Sequence, residues 1–358
     1  MGPERSAGRP TGKLAGKLVG AFAAATAAIW AAGAALAQDY TFKLHHFLPA
    51  TSPTQTETLE PWARAVEARS GGRVRIEIYP SMTLGGRPPE LVTQARDGVV
   101  DLIWVVNGYT PGLFPRTEVM ELPNVYVNDP GAANLALADL FETDLRPDYK
   151  GLEVMFLHVH AGNGLALRGP EIHAPADLAG KKMRIPSRTG AWVLEALGAV
   201  PVAMPVPELP QALQKGVVDG ALVPFEIVPA LKLQDQTDRL VEGDSHTRFG
   251  TTTFQMSMNK ARWDSLPPEI QAAFREASGP EWLAELGRIW RGTEETGVAI
   301  TTAAGRSHQV LSPEETAAFR TALAPVVERW IEDAEGRGID GAALVARARA
   351  AIAAHESR

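Results

Sequence analysis

Apolar and polar residues alternate along YTFKLHHFLP. Phe42, Leu44, His46 and Leu48 fall on one side, which predicts a strand ended by Pro49. The next stretch, SPTQTETLEPWARAVEARSGGR, spaces Leu59, Trp62, Ala63 and Val66 along one helix face and stops at Gly71-Gly72. VRIEIYP alternates again, PPELVTQARDGV predicts a helix running into Gly98, and VDLIWVV a buried strand. A β-α-β-α-β order of this kind predicts a sheet wrapped by crossover helices.

The pattern then restarts. LEVMFLHVH predicts a strand, KKMRIP a short strand ended by Pro186, and GAWVLEALGA a helix with Gly198 at its C-terminus. PVPELPQALQKGV predicts a helix running into Gly216, and VDGALVP a strand. Gly-Val-Val-Asp thus occurs twice, ending at Asp101 and at Asp219, each time between a helix and a buried strand. Glycine supplies a left-handed cap, the valines open a strand, and the aspartate is placed to accept backbone N–H groups. The repetition predicts an α/β chain with two Rossmann-like lobes of similar build. No low-complexity linker separates them, so the crossings are expected to be short hinge strands. The last third is helical. One long 3.6-residue periodicity is broken at Gly279-Pro280, and a capping box from Ser312 to Glu315 opens a further helix.

The first residues read differently. Arg5, Arg9, Lys13 and Lys17 precede an uncharged apolar run from Leu18 to about Leu36, which closes on Ala35-Leu36-Ala37. That predicts a signal peptide over 1–37, cleaved after Ala37, and export by the general route to the periplasm. With no cysteine in the chain, neither a lipid anchor on cysteine nor a disulfide is available, so stability rests on core burial. Loss of a segment holding four basic residues and Glu4 takes the formal charge from −7 to −10. An acidic chain without a basic cluster argues against nucleic acid as a partner.

GKKMRIPSRTGAWVLEALGAVPVAMPVPELPQALQKGVVDGALVP resembles the core of the TRAP-transporter solute-binding proteins of the DctP type. YPSMTLGG, ARDGVVDL, FPRTEVMELP and MNKARWDSLPPEIQ extend the resemblance over nearly all of the chain beyond residue 37. It implies two lobes joined by hinge strands and a long spanning helix, closing around a small organic acid that is delivered to a membrane permease pair. On that basis lobe I is expected over 38–160 plus about 250–285, and lobe II over 161–249 plus about 300–358. The spanning helix is expected over about 280–300, and the protein is expected to be a monomer that needs no cofactor and is not an enzyme.

The resemblance also implies a carboxylate-binding arginine in the Lys-x-Arg-x-Pro strand, here Arg184 in KMRIP. A guanidinium suits that role because it stays charged and offers a planar fork of donors. A second arginine about 20 positions earlier, shared by many members, is replaced here near Gly164. A polar residue that follows Asp-Gly in dicarboxylate and sialic-acid binders is Val223. Both departures favour a monocarboxylate with an apolar, perhaps-aromatic body.

Other candidates come from the residues themselves. Arg188 is placed to orient a ligand or cap the next helix. Trp192 and Phe225 would line an apolar pocket or fill the core. Glu226 would hold an arginine or accept a ligand hydroxyl. His46, Asn107 and Asn163 stand at strand ends, where open α/β sheets bind ligands. His158 and His160 share one strand face but have no third metal ligand close by in sequence, so no metal site is expected. Gly-x-Gly in AGNGLALRG lacks a third glycine, and GDSH lacks the glycines of a nucleophile elbow. Two alternatives remain: an exported hydrolase-like enzyme with Glu226 or His46 as general base, and a ligand-sensing binding protein for a membrane receptor.

Overall fold

The computed structural model describes residues 39–356, together with Gly2; the proposed signal segment over 1–37 lies outside that range except for this one residue. Two sheets organise the chain. The first holds β1 (Tyr40–His45), β2 (Val74–Tyr79), β3 (Leu102–Val106), β4 (Leu152–Val159) and β10 (Thr253–Asn259), in the order β2-β1-β3-β10-β4. The second holds β5 (Gly164–Leu167), β6 (Lys182–Ile185), β7 (Val200–Ala203), β8 (Gly220–Val223), β9 (Arg239–Glu242) and β11 (Ser307–Val310), in the order β11-β9-β5-β8-β6-β7. Strands β1 to β3 pair in parallel, and the returning β10 pairs antiparallel with β3 and β4. The chain therefore builds lobe I, crosses to lobe II after β4, and crosses back after β9. The two crossings hydrogen-bond to each other: Asn163 N–H donates to Gly250 O at 2.9 Å, and Phe249 N–H to Asn163 O at 2.9 Å.

The repeated Gly-Val-Val-Asp has one structural role in both lobes. Gly98 (φ 72°) and Gly216 (φ 67°) adopt the left-handed conformation that ends each helix. Val99 and Val217 are exposed at the turn, and Val100 and Val218 are buried. The aspartate does not serve its own turn; it receives the neighbouring strand. Lys43 N–H donates to Asp101 Oδ2 at 2.8 Å, and Lys182 N–H donates to Asp219 Oδ2 at 2.8 Å. The latter bond pins the first residue of β6, the strand that carries Arg184.

A helix over Pro280–Ala303 leans across both lobes. Glycines set its approach. A Cβ at Gly287 would collide with Gly131 of lobe I, and one at Gly297 with the Phe225 carbonyl of lobe II. The helix Pro313–Gly336 then packs on the lobe II helix Arg188–Ala196. The last helix, Gly341–Glu356, corrects the assignment of all of 300–358 to lobe II. It docks on the lobe I helix Pro130–Leu140, burying Leu344, Val345, Ala348 and Ile352, and His355 Nε2 reaches Asp139 Oδ2 at 2.8 Å. Its apolar face needs a covering partner and finds it on that lobe I helix.

Candidate functional site

A small cavity of about 30 Å3 lies between the lobes and is lined by residues of both. Its floor is the pair of crossings, through His160, Asn163 and Thr252. The lobe I wall is aromatic: Phe47, Trp104, Tyr109 and Phe254. Trp104 lies flat between Phe47 (centroids 5.2 Å, 22°) and Phe254 (4.8 Å, 14°). His158 continues the stack behind Phe254 at 4.8 Å. The lobe II wall brings Arg184, Pro186, Val206, Pro224, Glu226 and Ile227.

Arg184 is the cation of this cavity, and it is 2% exposed. Parallel pairing to β7 and β8 fixes its backbone. Its Nε donates to Met204 O at 3.0 Å, Nη1 to Leu222 O at 3.2 Å, and Nη2 to the Tyr109 hydroxyl at 3.3 Å. Among the described residues no carboxylate pairs with it. Burial pulls its pKa below the ordinary arginine value, with only Tyr109 acting against that. Arg248 is the other buried arginine among the described residues, at 5% exposure, and it is treated differently. It meets Glu242 at 2.8 Å and Glu294 at 2.6 Å. A buried charge is normally compensated in this way, so Arg184 stands out within its own molecule.

Glu226 is 6% exposed, and its Oε2 is buried without a hydrogen-bond partner. Burial, and then repulsion from Glu294, push its pKa well above the usual carboxylate range. Its position is fixed through its backbone: Glu226 N–H donates to Glu294 Oε2 at 2.9 Å, beside Phe225 N–H at 2.8 Å. Asn163, 2% exposed, donates from Nδ2 to Thr252 Oγ1 at 3.3 Å and leaves Oδ1 buried and unmatched. His160 accepts Gly162 N–H on Nδ1 at 2.9 Å. Burial, followed by the charges of Arg248, His158 and Arg184, holds its pKa well below the ordinary value.

Of the eight residues singled out from the sequence, three line the cavity: Arg184, Asn163 and Glu226. The other five stand behind or beside its walls. Strand β1 ends at His45, one residue short of His46, whose Nε2 meets Gln55 Oε1 at 3.0 Å; burial lowers its pKa to about 4. Asn107 is bound in the core to Tyr149, Thr253 and Gln255. Arg188 is held by Glu118 and Asp333, at 2.6 and 2.7 Å, which ties lobe II to lobe I and to the helix Pro313–Gly336. Trp192 is covered by the guanidinium groups of Arg188 (4.8 Å) and Arg329 (4.7 Å). Phe225 packs under Arg248 at 4.5 Å, and its ring occupies the space that any side chain at 164 would need. An arginine at 164 therefore has no room in this chain. The aromatic wall residues went unnoticed in the sequence. The one available signal was that KLHHFLP and VDLIWVVNGY concentrate rings near the ends of β1 and β3.

His158 and His160 do not form a metal pair. Trp104 Nε1 donates to His158 Nε2 at 2.8 Å, and burial holds the His158 pKa down at about 3. Among the described residues no group of three or more histidine or acidic side chains is arranged to hold a metal, and no helix is long and apolar enough to cross a membrane.

This architecture defines a protein that encloses a small solute between two lobes. Residues 44–333 match the family described as bacterial extracellular solute-binding protein, family 7 (DctP), and the chain belongs to that family of TRAP-type solute-binding proteins. Two solved structures superpose well. One is a marine-metagenome TRAP solute-binding protein specific for aromatic acid ligands, in complex with metahydroxyphenylacetate. It is 38% identical, with a TM-score of 0.85, over 88% of this chain and 98% of that one. The other, from Rhodoferax ferrireducens, holds copurified benzoate; it is 37% identical, with a TM-score of 0.86, over 88% and 98%. The C4-dicarboxylate-binding periplasmic protein DctP of Rhodobacter capsulatus is 26% identical over 331 residues, 89% of this chain and 93% of that protein. Members of this family bind solutes rather than transform them.

Proposed function

We infer that the protein captures an aromatic monocarboxylate in the periplasm and delivers it to a TRAP membrane permease. The observation that carries this reading is the buried, uncompensated guanidinium of Arg184 in a cavity walled by rings. A carboxylate arriving there supplies the missing counter-charge where water is excluded and the attraction is strong. Phe47, Trp104 and Phe254 give the body of the guest an apolar aromatic wall, which favours an aromatic ring over a second anionic group. A dicarboxylate or sugar acid would bring charge or several hydroxyls against that wall, with the second cationic position closed by Phe225.

Closure supplies the mechanism. Arg184 of lobe II touches Tyr109 of lobe I, and Tyr109 Oη also accepts Val206 N–H at 2.9 Å. A guest bound to Arg184 and packed against lobe I therefore favours the closed state, which the permease recognises. Residues 1–37 act as a cleaved leader, and the mature chain works as a monomer without a cofactor. Calorimetric titration with benzoate, succinate and galacturonate tests the reading: benzoate is expected to bind, and preferred binding of succinate or galacturonate refutes it. Recovery of chemically unchanged benzoate after long incubation separates binding from turnover.

A further inference from the structure

The proposed function accounts for one end of the cavity and leaves two buried polar atoms on its wall unexplained. Asn163 Oδ1 has no hydrogen-bond partner, because the Asn163 Nδ2 is directed to Thr252. Glu226 Oε2 has none either. Leaving such groups buried and unmatched costs about 1–3 kcal/mol each, so proteins rarely keep them without use.

Their placement is specific. Strand β8 runs between β5 and β6. Arg184 lies on β6, opposite Ala221 of β8. On the far side of β8, Gly164 of β5 faces Val223, so the register extended by one residue sets Asn163 across from Pro224, two residues before Glu226. Asn163 and Arg184 thus lie on opposite sides of β8, and Glu226 follows the end of that strand. They do not pair: Glu226 Oε2 has no hydrogen-bond partner, and Arg184 donates to Met204 O, Leu222 O and the Tyr109 hydroxyl. The cavity wall thus carries a cation, Arg184, and a separate pair of polar groups, Asn163 and Glu226, opposite the lobe I rings.

We propose that a polar pole, formed by Asn163 Oδ1 and the Glu226 carboxyl, recognises a hydroxyl carried by the aromatic acid at a position distant from its carboxylate. The hydroxyl donates to Asn163 Oδ1 and exchanges a hydrogen bond with Glu226. This rests on the aromatic-carboxylate reading and narrows it to hydroxylated acids. An ortho hydroxyl fails this requirement, because it bonds internally to the adjacent carboxylate and stays at the Arg184 pole. Three isomers of equal mass and charge therefore separate the pole from general ring stacking.

The test is calorimetric titration of the full-length mature chain with benzoate and with 2-, 3- and 4-hydroxybenzoate. The 3- or 4-isomer is expected to bind at least tenfold more tightly than both benzoate and the 2-isomer. Asn163→Leu is expected to remove that preference, so that within the variant the 3- and 4-isomers bind no more tightly than benzoate. Should Asn163→Leu fail to fold, Glu226→Leu serves the same purpose, and Glu226→Gln, which still exchanges hydrogen bonds, should retain the preference. Benzoate bound as tightly as every isomer, or a 2-isomer equal to the best of them, overturns the proposal and leaves the aromatic-carboxylate reading standing. Failure of benzoate and all three isomers to bind overturns that reading itself.

Discussion

Replacing Arg184 separates its two roles, as a buried group of the fold and as the anchor of a guest. Consider Arg184→Ala and Arg184→Met. In the ligand-free protein the substitution removes bonds to Met204 O, Leu222 O and the Tyr109 hydroxyl. Unmatched carbonyls cost about 1–3 kcal/mol. Against this, the substitution removes a buried cation that no carboxylate balances, whose own desolvation penalty is of several kcal/mol. The two terms oppose each other, so the unfolding midpoint should move little. Binding has no such offset. A guest carboxylate left facing an apolar wall loses its partner, which costs roughly 3–5 kcal/mol. At about 1.4 kcal/mol per tenfold, that is a loss of roughly a hundredfold to a few thousandfold. Arg248→Met is the internal control. It strands Glu242 and Glu294 in the interior, so the fold itself should weaken by about 3–5 kcal/mol. Titration calorimetry with benzoate reads the first effect, and denaturant unfolding without ligand reads the second. Less than a tenfold loss of affinity in Arg184→Ala refutes the assignment of Arg184 as anchor. So does an Arg184→Met variant as unstable as Arg248→Met, since Arg184 would then be a structural cation with a hidden partner.

Three further outcomes test closure and protonation. Tyr109→Phe removes the hydroxyl that receives Arg184 Nη2 and Val206 N–H from lobe II. It should weaken benzoate by about tenfold, mainly through a faster off-rate measured by stopped flow. Gly108→Ala places a methyl group into Ser187 of the opposite lobe and 3.0 Å from the Pro186 carbonyl; it should spare ligand-free stability while blocking closure. Small-angle scattering should then show no compaction on adding benzoate. Glu226 has a folded pKa raised above its unfolded value, so its contribution is fully present below about pH 4.5 and declines as pH rises above it. Glu226→Gln does not titrate, so its stability relative to wild type should climb from pH 4.5 upward by at most ~1.4 kcal/mol per unit. A flat difference in unfolding free energy between pH 5 and pH 8 contradicts the raised pKa of Glu226.

What the sequence disclosed follows from local physics. Period-2 alternation and glycine-terminated helices are short-range signals, and they marked β1, β2 and the repeated Gly-Val-Val-Asp turns. The reading of Arg184 needed the family resemblance, because Met183, Arg184 and Ile185 are all buried and alternation gives no facing direction. Strand β3 illustrates the limit. All of Leu102–Val106 are buried, so nothing in the pattern distinguishes Trp104, which faces the cavity, from Ile103. Arg188 failed as a cavity residue for a different reason. Its partners Glu118 and Asp333 lie 70 and 145 positions away, and only the folded topology brings them together. The same holds for the last helix, whose docking face lies on Pro130–Leu140.

The distribution of buried charge also explains how a guest at one wall reaches the hinge. Glu294 of the spanning helix receives the backbone N–H groups of Phe225 and Glu226 and the guanidinium of Arg248. Arg248 belongs to the second crossing, where its own N–H donates to Val127 O of lobe I at 3.1 Å, and its side chain binds Glu242 at the end of β9. A single buried ion cluster thus joins the cavity wall, the spanning helix, the crossing and both lobes. Because the Arg248 charge is already paired with Glu242 and Glu294, a guest carboxylate has no unpaired cation to engage there, and Glu294 holds the Glu226 backbone as a fixed point. Arg184 is the opposite case: its charge is unmatched, and its Tyr109 contact exists only with the lobes together. The energy released by a carboxylate at Arg184 is therefore available to hold the lobes closed, while the compensated cluster keeps the pivot rigid.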